Sequence, residues 1–225
     1  MSKPVFNISP FTLLDFPDTT ACIIWFAGCN MRCLYCYNPE IVLGKGKMSI
    51  TSAIAFLQSR KGLLNGVVFS GGECLLHPEA ITMAKEAKKM GYRIKIDTNG
   101  SLPQQIKKLV EQKLIDYIAL DFKAPKEKFC KITQANTFKQ FEESLNYLIK
   151  SKFPFEIRTT WHSALLSQKD YDSMLDFLTQ LGYQGTYYIQ SYLKTSETLG
   201  IITGHHLIQD LKIWGTNNIK VILRN

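Results

Sequence analysis

This 225-residue chain contains nothing close to the roughly 18–20 consecutive apolar residues that a membrane-spanning helix requires, so no membrane role is expected. Its first residues, MSKPVFNISPF, lack the apolar run and small-residue cleavage site of a secretory leader, and a cytoplasmic location is the expectation. Glycine (14) and proline (8) are too sparse for a collagen-like or low-complexity chain. Histidine is scarcer still, with four residues at 77, 162, 205 and 206. No phosphate loop is present, since no Lys-Ser/Thr follows a glycine pair, and no Ser-His-Asp or paired-carboxylate signature stands out. Long linkers and internal repeats are missing too, so one domain over 1–225 is expected, with a core over roughly 20–215.

What is present is an ordinary globular composition, 45% hydrophobic and 20% charged, with a net charge of +8 from 27 basic and 19 acidic residues. The lysines are scattered through stretches such as 84–95 and 104–113 without a dense block, which speaks against nucleic acid. A solvated basic surface is one reading, and a docking face for an acidic protein is the other.

Strand-length apolar runs occur at 21–27, 66–70, 92–97, 116–121, 154–160, 186–190 and 219–223. Helical periodicity fills the gaps near 51–61, 78–90, 103–113, 137–150, 168–181 and 205–214. His77-Pro78 opens one helix and Gly91 closes it, while Ser101 and Pro103 open the next. Near-continuous apolar strands alternating with amphipathic helices predict an α/β fold with a parallel sheet and helices outside. Six βα units suit an open, partial (βα)6 barrel, whose ligands sit at the carboxyl ends of the strands. The cysteine cluster, Gly71-Gly72-Glu73, Asp97-Thr98-Asn99-Gly100, Asp121-Phe122-Lys123, Arg158-Thr159-Thr160-Trp161-His162 and Gln190 follow or end successive strands. That rim is the expected active site.

The six cysteines lie at 22, 29, 33, 36, 74 and 130. Cys29, Cys33 and Cys36 form C-x3-C-x2-C in a loop over 28–40, and closely spaced thiolates there suit zinc or an iron–sulfur cube. A zinc knuckle or saturated electron-transfer cluster completed by Cys22 or Cys74 is the alternative. Cys22, inside an apolar strand, reads as a small hydrophobe.

With Tyr35 just before the last cysteine and Gly71-Gly72-Glu73 after the second βα strand, the pattern resembles the radical S-adenosylmethionine superfamily. The resemblance implies a partial barrel and a 4Fe-4S cluster on Cys29, Cys33 and Cys36 whose open iron chelates S-adenosylmethionine. It also implies reductive cleavage to a 5′-deoxyadenosyl radical, so that the cofactor carries the chemistry and the protein binds and orients. Gly71, Gly72 and Glu73 would accept hydrogen bonds from the methionine ammonium, although by itself such a triplet is most often a tight turn.

Asp97-Thr98-Asn99-Gly100 and the Asp-x-Lys of Asp121 and Lys123 resemble elements of activators of glycyl radical enzymes. That likeness implies a monovalent cation on Asp97, Thr98, Asp121 and the Ala119 carbonyl, with Lys123 and Arg158 near the cofactor. A helix-capping turn, a surface ion pair and pairing of Arg158 with an interior acid are the plainer readings of the same residues. The segment Ser9–Asp18 (SPFTLLDFPD) extends the resemblance toward activators of anaerobic ribonucleoside-triphosphate reductase, with Pro17-Asp18 in place of a common Pro-Gly. The implied partners are a glycyl radical enzyme and flavodoxin or ferredoxin as reductant. A small-molecule substrate, such as a deazapurine-type ring precursor, and a non-catalytic metalloprotein are the remaining alternatives.

Overall fold

The computed structural model describes residues 3–192, 198–202, 208 and 211–224. Its strands are β1 (Val5–Thr12), β2 (Ala21–Phe26), β3 (Gly66–Gly71), β4 (Arg93–Thr98), β5 (Tyr117–Asp121), β6 (Phe155–Trp161), β7 (Gly185–Ser191) and β8 (Ile219–Arg224). The helices are α1 (Pro39–Leu43), α2 (Ile50–Ser59), α3 (Glu79–Lys89), α4 (Pro103–Glu111), α5 (Lys126–Thr133), α6 (Phe138–Ser151) and α7 (Gln168–Gln180). The strands form one mixed, mostly parallel sheet in chain order, flanked by helices. No described helix is long and apolar enough to cross a membrane.

The chain divides into two compact units. The first holds residues 1–30, 38–98 and 104–119. Here β2, β3 and β4 run parallel, with Ile23 beside Val68 and Val68 beside Lys95. Residues of β2 and β3 are buried on both faces, which is why ACIIWF and GVVFS read as continuous apolar runs. Ser49 caps α2 by accepting from the Ser52 amide. Helix α3 buries Ala80, Met83, Ala84 and Ala87 along one stripe, and Gly91, at φ +91°, ends it in the left-handed region that favours glycine. The Lys88 ammonium meets Asp116 at 2.6 Å, tying α3 to the segment before β5.

Strand β1 was not expected and runs antiparallel to β2. Its sequence hides it: Pro10 sits within it, and register shifts fall between Val5 and Asn7 and between Ser9 and Thr12. Proline and bulges are tolerated on an edge strand because only one side must pair. The turn after it carries Asp18 at φ +53°, the left-handed conformation a glycine would adopt without strain.

The second unit holds residues 31–37, 99–103 and 120–225. Its strands β6, β7 and β8 are parallel. Helix α6 buries Phe138, Phe141, Ser144, Leu145 and Leu148. Phe141 stacks on Phe122 with centroids 4.9 Å apart, and Phe138 meets Phe129 edge-on at 5.4 Å. Burying each such ring contributes roughly 1.5–3 kcal/mol, so this phenylalanine cluster anchors α5 and α6. Ser167 and Asp170 form a capping box at the start of α7, and Lys128 reaches the same carboxylate at 2.6 Å. Helix α5, KEKFCKIT, was not expected because its charges mask the buried Phe129, Ile132 and Thr133. The helix expected over 205–214, including His205 and His206, lies mostly outside the described residues, and 211–214 are not helical.

Candidate functional site

In the first unit, the carboxyl ends of β2, β3 and β4 lead into Gly28-Cys29, Gly71-Gly72-Glu73 and Asp97-Thr98. The glycine pair is there because the backbones touch. The Gly72 amide donates to the Phe26 carbonyl at 3.0 Å and the Glu73 amide to the Gly28 carbonyl at 2.9 Å. A Cβ on Gly72 would lie 1.9 Å from the Gly28 carbonyl oxygen, and one on Gly71 2.2 Å from that of Phe26. Gly28, Gly72 and the start of the cysteine loop are thereby locked together.

Glu73 is fully buried; its carboxylate accepts from the Leu75 amide at 3.1 Å and from the Thr98 hydroxyl at 3.0 and 3.1 Å. Asp97 accepts from the Ser70 hydroxyl at 3.1 Å and from the Lys95 ammonium at 2.6 Å. His77, expected only at a helix start, places its Nε2 2.7 Å from the Ala27 carbonyl and fixes the turn after β3 against the end of β2.

In the second unit, Asp121 ends β5 and Arg158 lies within β6. Arg158 Nη2 and Nε lie 3.0 and 3.1 Å from Asp121 Oδ1, and Lys123 Nζ lies 3.0 Å from Oδ2. The Lys123 ammonium also sits 5.9 Å from the Tyr35 ring centroid. Burial works against the Lys123 charge, but Asp121, with Tyr35 and Cys33, holds its pKa well above the ordinary lysine value. Tyr35 is itself buried, which raises its phenol far above the usual range although Lys123 pulls the other way. Its hydroxyl finds no hydrogen-bond partner among the described residues.

The rest of the loop is held by its backbone. The Arg32 and Leu34 amides donate to the carbonyls of Thr133 (2.8 Å) and Ile132 (3.0 Å), and the Gly200 and Leu199 amides donate to those of Leu34 (2.9 Å) and Cys36 (3.2 Å). Asn99 is buried and accepts from the Ser101 amide at 2.9 Å, while Ser144 of α6 donates to the Gly100 carbonyl at 2.6 Å. The turn after β4 is therefore both capped and anchored. His162 is buried rather than at an open rim; its Nδ1 accepts from the Ala164 amide at 3.1 Å and its ring meets Tyr192 edge-on. Gln190 lies on β7 in register with Thr160.

The expected metal chemistry needs correction. Among the described residues, no group of three or more His, Cys, Asp or Glu side chains is placed to hold a metal ion. That finding contradicts the 4Fe-4S cluster expected on Cys29, Cys33 and Cys36 with an open iron. Cys33 is buried, whereas Cys29 and Cys36 are half-buried. A monovalent cation on Asp97 and Asp121 does not fit either, because both carboxylates are already paired with ammonium or guanidinium groups. A zinc knuckle completed by Cys22 or Cys74 meets the same finding. Both are buried, which pushes the Cys22 thiol up to about 12 and the Cys74 thiol well above its usual value, while Cys130 is exposed.

Lys95, Ser70, His77 and Ser144 were missed by sequence reasoning. For Lys95 the signal was present: in YRIKID, Lys95 and Asp97 are two apart on a strand and so share a face. Nothing local marks Ser70, His77 or Ser144, whose partners are 27, 50 and 44 residues away.

Residues 23–177 match the model of the Radical SAM superfamily. The chain belongs to that superfamily. Over 182 residues it is 31% identical to a Methanocaldococcus jannaschii protein named for glycyl-radical enzyme activation, covering 77% of this chain and 75% of the other. It is 34% identical over 103 residues to a pyruvate formate-lyase-activating enzyme of Clostridium pasteurianum, 43% of each chain. Its fold is similar to that of Streptococcus suis SuiB, with a TM-score of 0.69 at 12% identity over 88% of this chain. The chain spans 47% of that structure, about half its length. This radical SAM chain is thus related to glycyl-radical-enzyme activating enzymes, and the superfamily places it among enzymes of oxidoreductase type.

Proposed function

We propose that this radical SAM protein uses S-adenosylmethionine to install a glycyl radical on a partner enzyme, with anaerobic ribonucleoside-triphosphate reductase as the favoured partner. Bound S-adenosylmethionine, given one electron by flavodoxin or ferredoxin, would supply methionine and a 5′-deoxyadenosyl group able to take a hydrogen atom from a glycine α-carbon of the partner, ending as 5′-deoxyadenosine and a stored glycyl radical.

The observation that carries this reading is the likeness to the Methanocaldococcus jannaschii protein over three quarters of both chains, since the fold alone suits many substrates. The choice of reductase rests on the Ser9–Asp18 segment, where Phe16 is fully buried and Thr12 donates to Asp15 at 2.5 Å. From the first unit, Gly71, Gly72 and Glu73 are assigned to the methionine ammonium, with Asp97, Thr98 and Asn99 as their support. From the second, Lys123 and Arg158 are assigned to the carboxylate, and Tyr35, with its unpartnered buried hydroxyl, to a polar atom of the cofactor.

The test is to incubate the protein, a low-potential reductant, S-adenosylmethionine and an anaerobic ribonucleotide reductase without oxygen and to record the electron paramagnetic resonance spectrum. A glycyl-radical doublet that needs all four components supports the proposal. Formation of 5′-deoxyadenosine without that doublet, for reductase and pyruvate formate-lyase alike, turns it toward a small-molecule substrate.

A further inference from the structure

Lys95 is 1% exposed, and its side chain lies within β4 of the first unit. It is in register with Val68, which in turn is in register with Ile23, so its neighbours on β3 and β2 are apolar. Val68 and Ile23 belong to a buried cluster with Phe16 and Ala21. An ammonium group on such a face is costly unless it meets a negative group. It does so two residues further along the same face, where Nζ lies 2.6 Å from Asp97 Oδ1. Asp97 is only 13% exposed at its side chain, and its other oxygen accepts from Ser70 at 3.1 Å.

We propose that Lys95 is a resident cation: a positioning residue that neutralises and orients Asp97 and makes this carboxylate independent of any bound metal cation. A strand carboxylate with hydroxyl neighbours is the kind of oxygen set that suits a small hard cation. Here the chain supplies the positive charge itself, on a four-carbon stem whose methylenes suit the apolar face and whose head group reaches Asp97. This accounts for the failure of the expected cation site by a named side chain. Its catalytic meaning rests on the proposed S-adenosylmethionine chemistry; its physical content does not.

The experiment compares thermal unfolding of the wild-type protein, Lys95→Met and Lys95→Met/Asp97→Asn in sodium, potassium and choline chloride at equal ionic strength, without S-adenosylmethionine. Wild type is expected to melt at the same temperature in all three salts. Lys95→Met leaves Asp97 partly buried without its ammonium, lowering the midpoint by about 10 °C in choline, with recovery in sodium or potassium. The double variant removes both charges and is expected to lose the salt discrimination. Equal midpoints for Lys95→Met in the three salts, or a wild-type protein that itself distinguishes them, overturns the proposal. Should Lys95→Met fail to fold, Lys95→Gln takes its place, and a double variant that still discriminates sodium from choline overturns it equally. Binding of S-adenosylmethionine by calorimetry in the same salts separates the two ideas: no binding to wild type sinks the functional reading while the melting result still stands.

Discussion

Arg158 places two nitrogens on one oxygen of Asp121, Nε at 3.1 Å and Nη2 at 3.0 Å from Oδ1, and leaves Oδ2 to Lys123 at 3.0 Å. Two cations share one carboxylate in a place where neither side chain is more than a quarter exposed. Contact with an anionic group of a ligand is the role proposed for Arg158 and Lys123.

Arg158→Met removes one of these two cations. Asp121 keeps Lys123, so the expected loss of stability is modest, about 1–2 kcal/mol by urea unfolding. The expected loss of S-adenosylmethionine affinity is larger in proportion, roughly tenfold by calorimetry, or about 1.4 kcal/mol. Arg158→Lys does not restore binding, because an ammonium lacks the planar donor pair that meets Oδ1. Unchanged affinity in Arg158→Met would remove this residue from the site.

Tyr35→Phe separates a structural hydroxyl from a ligand-binding one. The group is buried and without a hydrogen-bond partner among the described residues, so deleting it is expected to leave unfolding stability unchanged or raise it by up to about 1 kcal/mol. Affinity for S-adenosylmethionine is expected to fall severalfold. A variant that is destabilised and binds normally contradicts the assignment.

Gly72→Ala asks whether close backbone approach is a requirement of the fold. The new methyl would meet the Gly28 carbonyl oxygen at 1.9 Å, and no flexible side chain is there to move aside. The expected cost is about 3 kcal/mol in chemical denaturation. Gly91→Ala makes a useful contrast: nothing lies within 4 Å of its added Cβ, so its cost comes only from φ +91° and is expected to be about 1 kcal/mol.

Asp170 sets an acid limit on the second unit. Burial raises its pKa, but the Lys128 ammonium and the Ser167 hydroxyl and amide outweigh this and hold it below the ordinary carboxylate value. A depressed carboxylate contributes stability that is present above the unfolded value and lost as pH falls through the folded one. Wild-type stability should therefore fall as pH drops below about 4, and the curve for Asp170→Asn should be flatter there. Parallel curves would mean that the capping box, rather than the charge, is what matters.

The strands and most helices were legible because burial on both faces of a parallel sheet leaves runs such as GVVFS, and one-sided burial leaves stripes such as Phe138, Phe141, Leu145 and Leu148. Strand β1 was not legible, since Pro10 and two register shifts break its alternation. At the site, local motifs located Glu73, Asp97, Asp121 and Arg158; spacing brings Lys95 to Asp97 and Lys123 to Asp121, but the partners of Glu73 and Arg158 depend on chain crossings that no spacing reveals. The Arg158–Asp121 pair spans 37 residues and the Thr98–Glu73 pair 25. The metal expectation rested on C-x3-C-x2-C spacing, which describes which thiols are neighbours in the chain and not whether their side chains converge on one ion.

The most direct test is to supply the protein, under reducing and oxygen-free conditions, with S-adenosylmethionine and to measure 5′-deoxyadenosine and methionine by chromatography. The account predicts both products in equal amounts, dependent on the protein and reductant and reduced in Arg158→Met and Tyr35→Phe. Absence of both products, from a protein that binds S-adenosylmethionine in the presence of reductant, would contradict it.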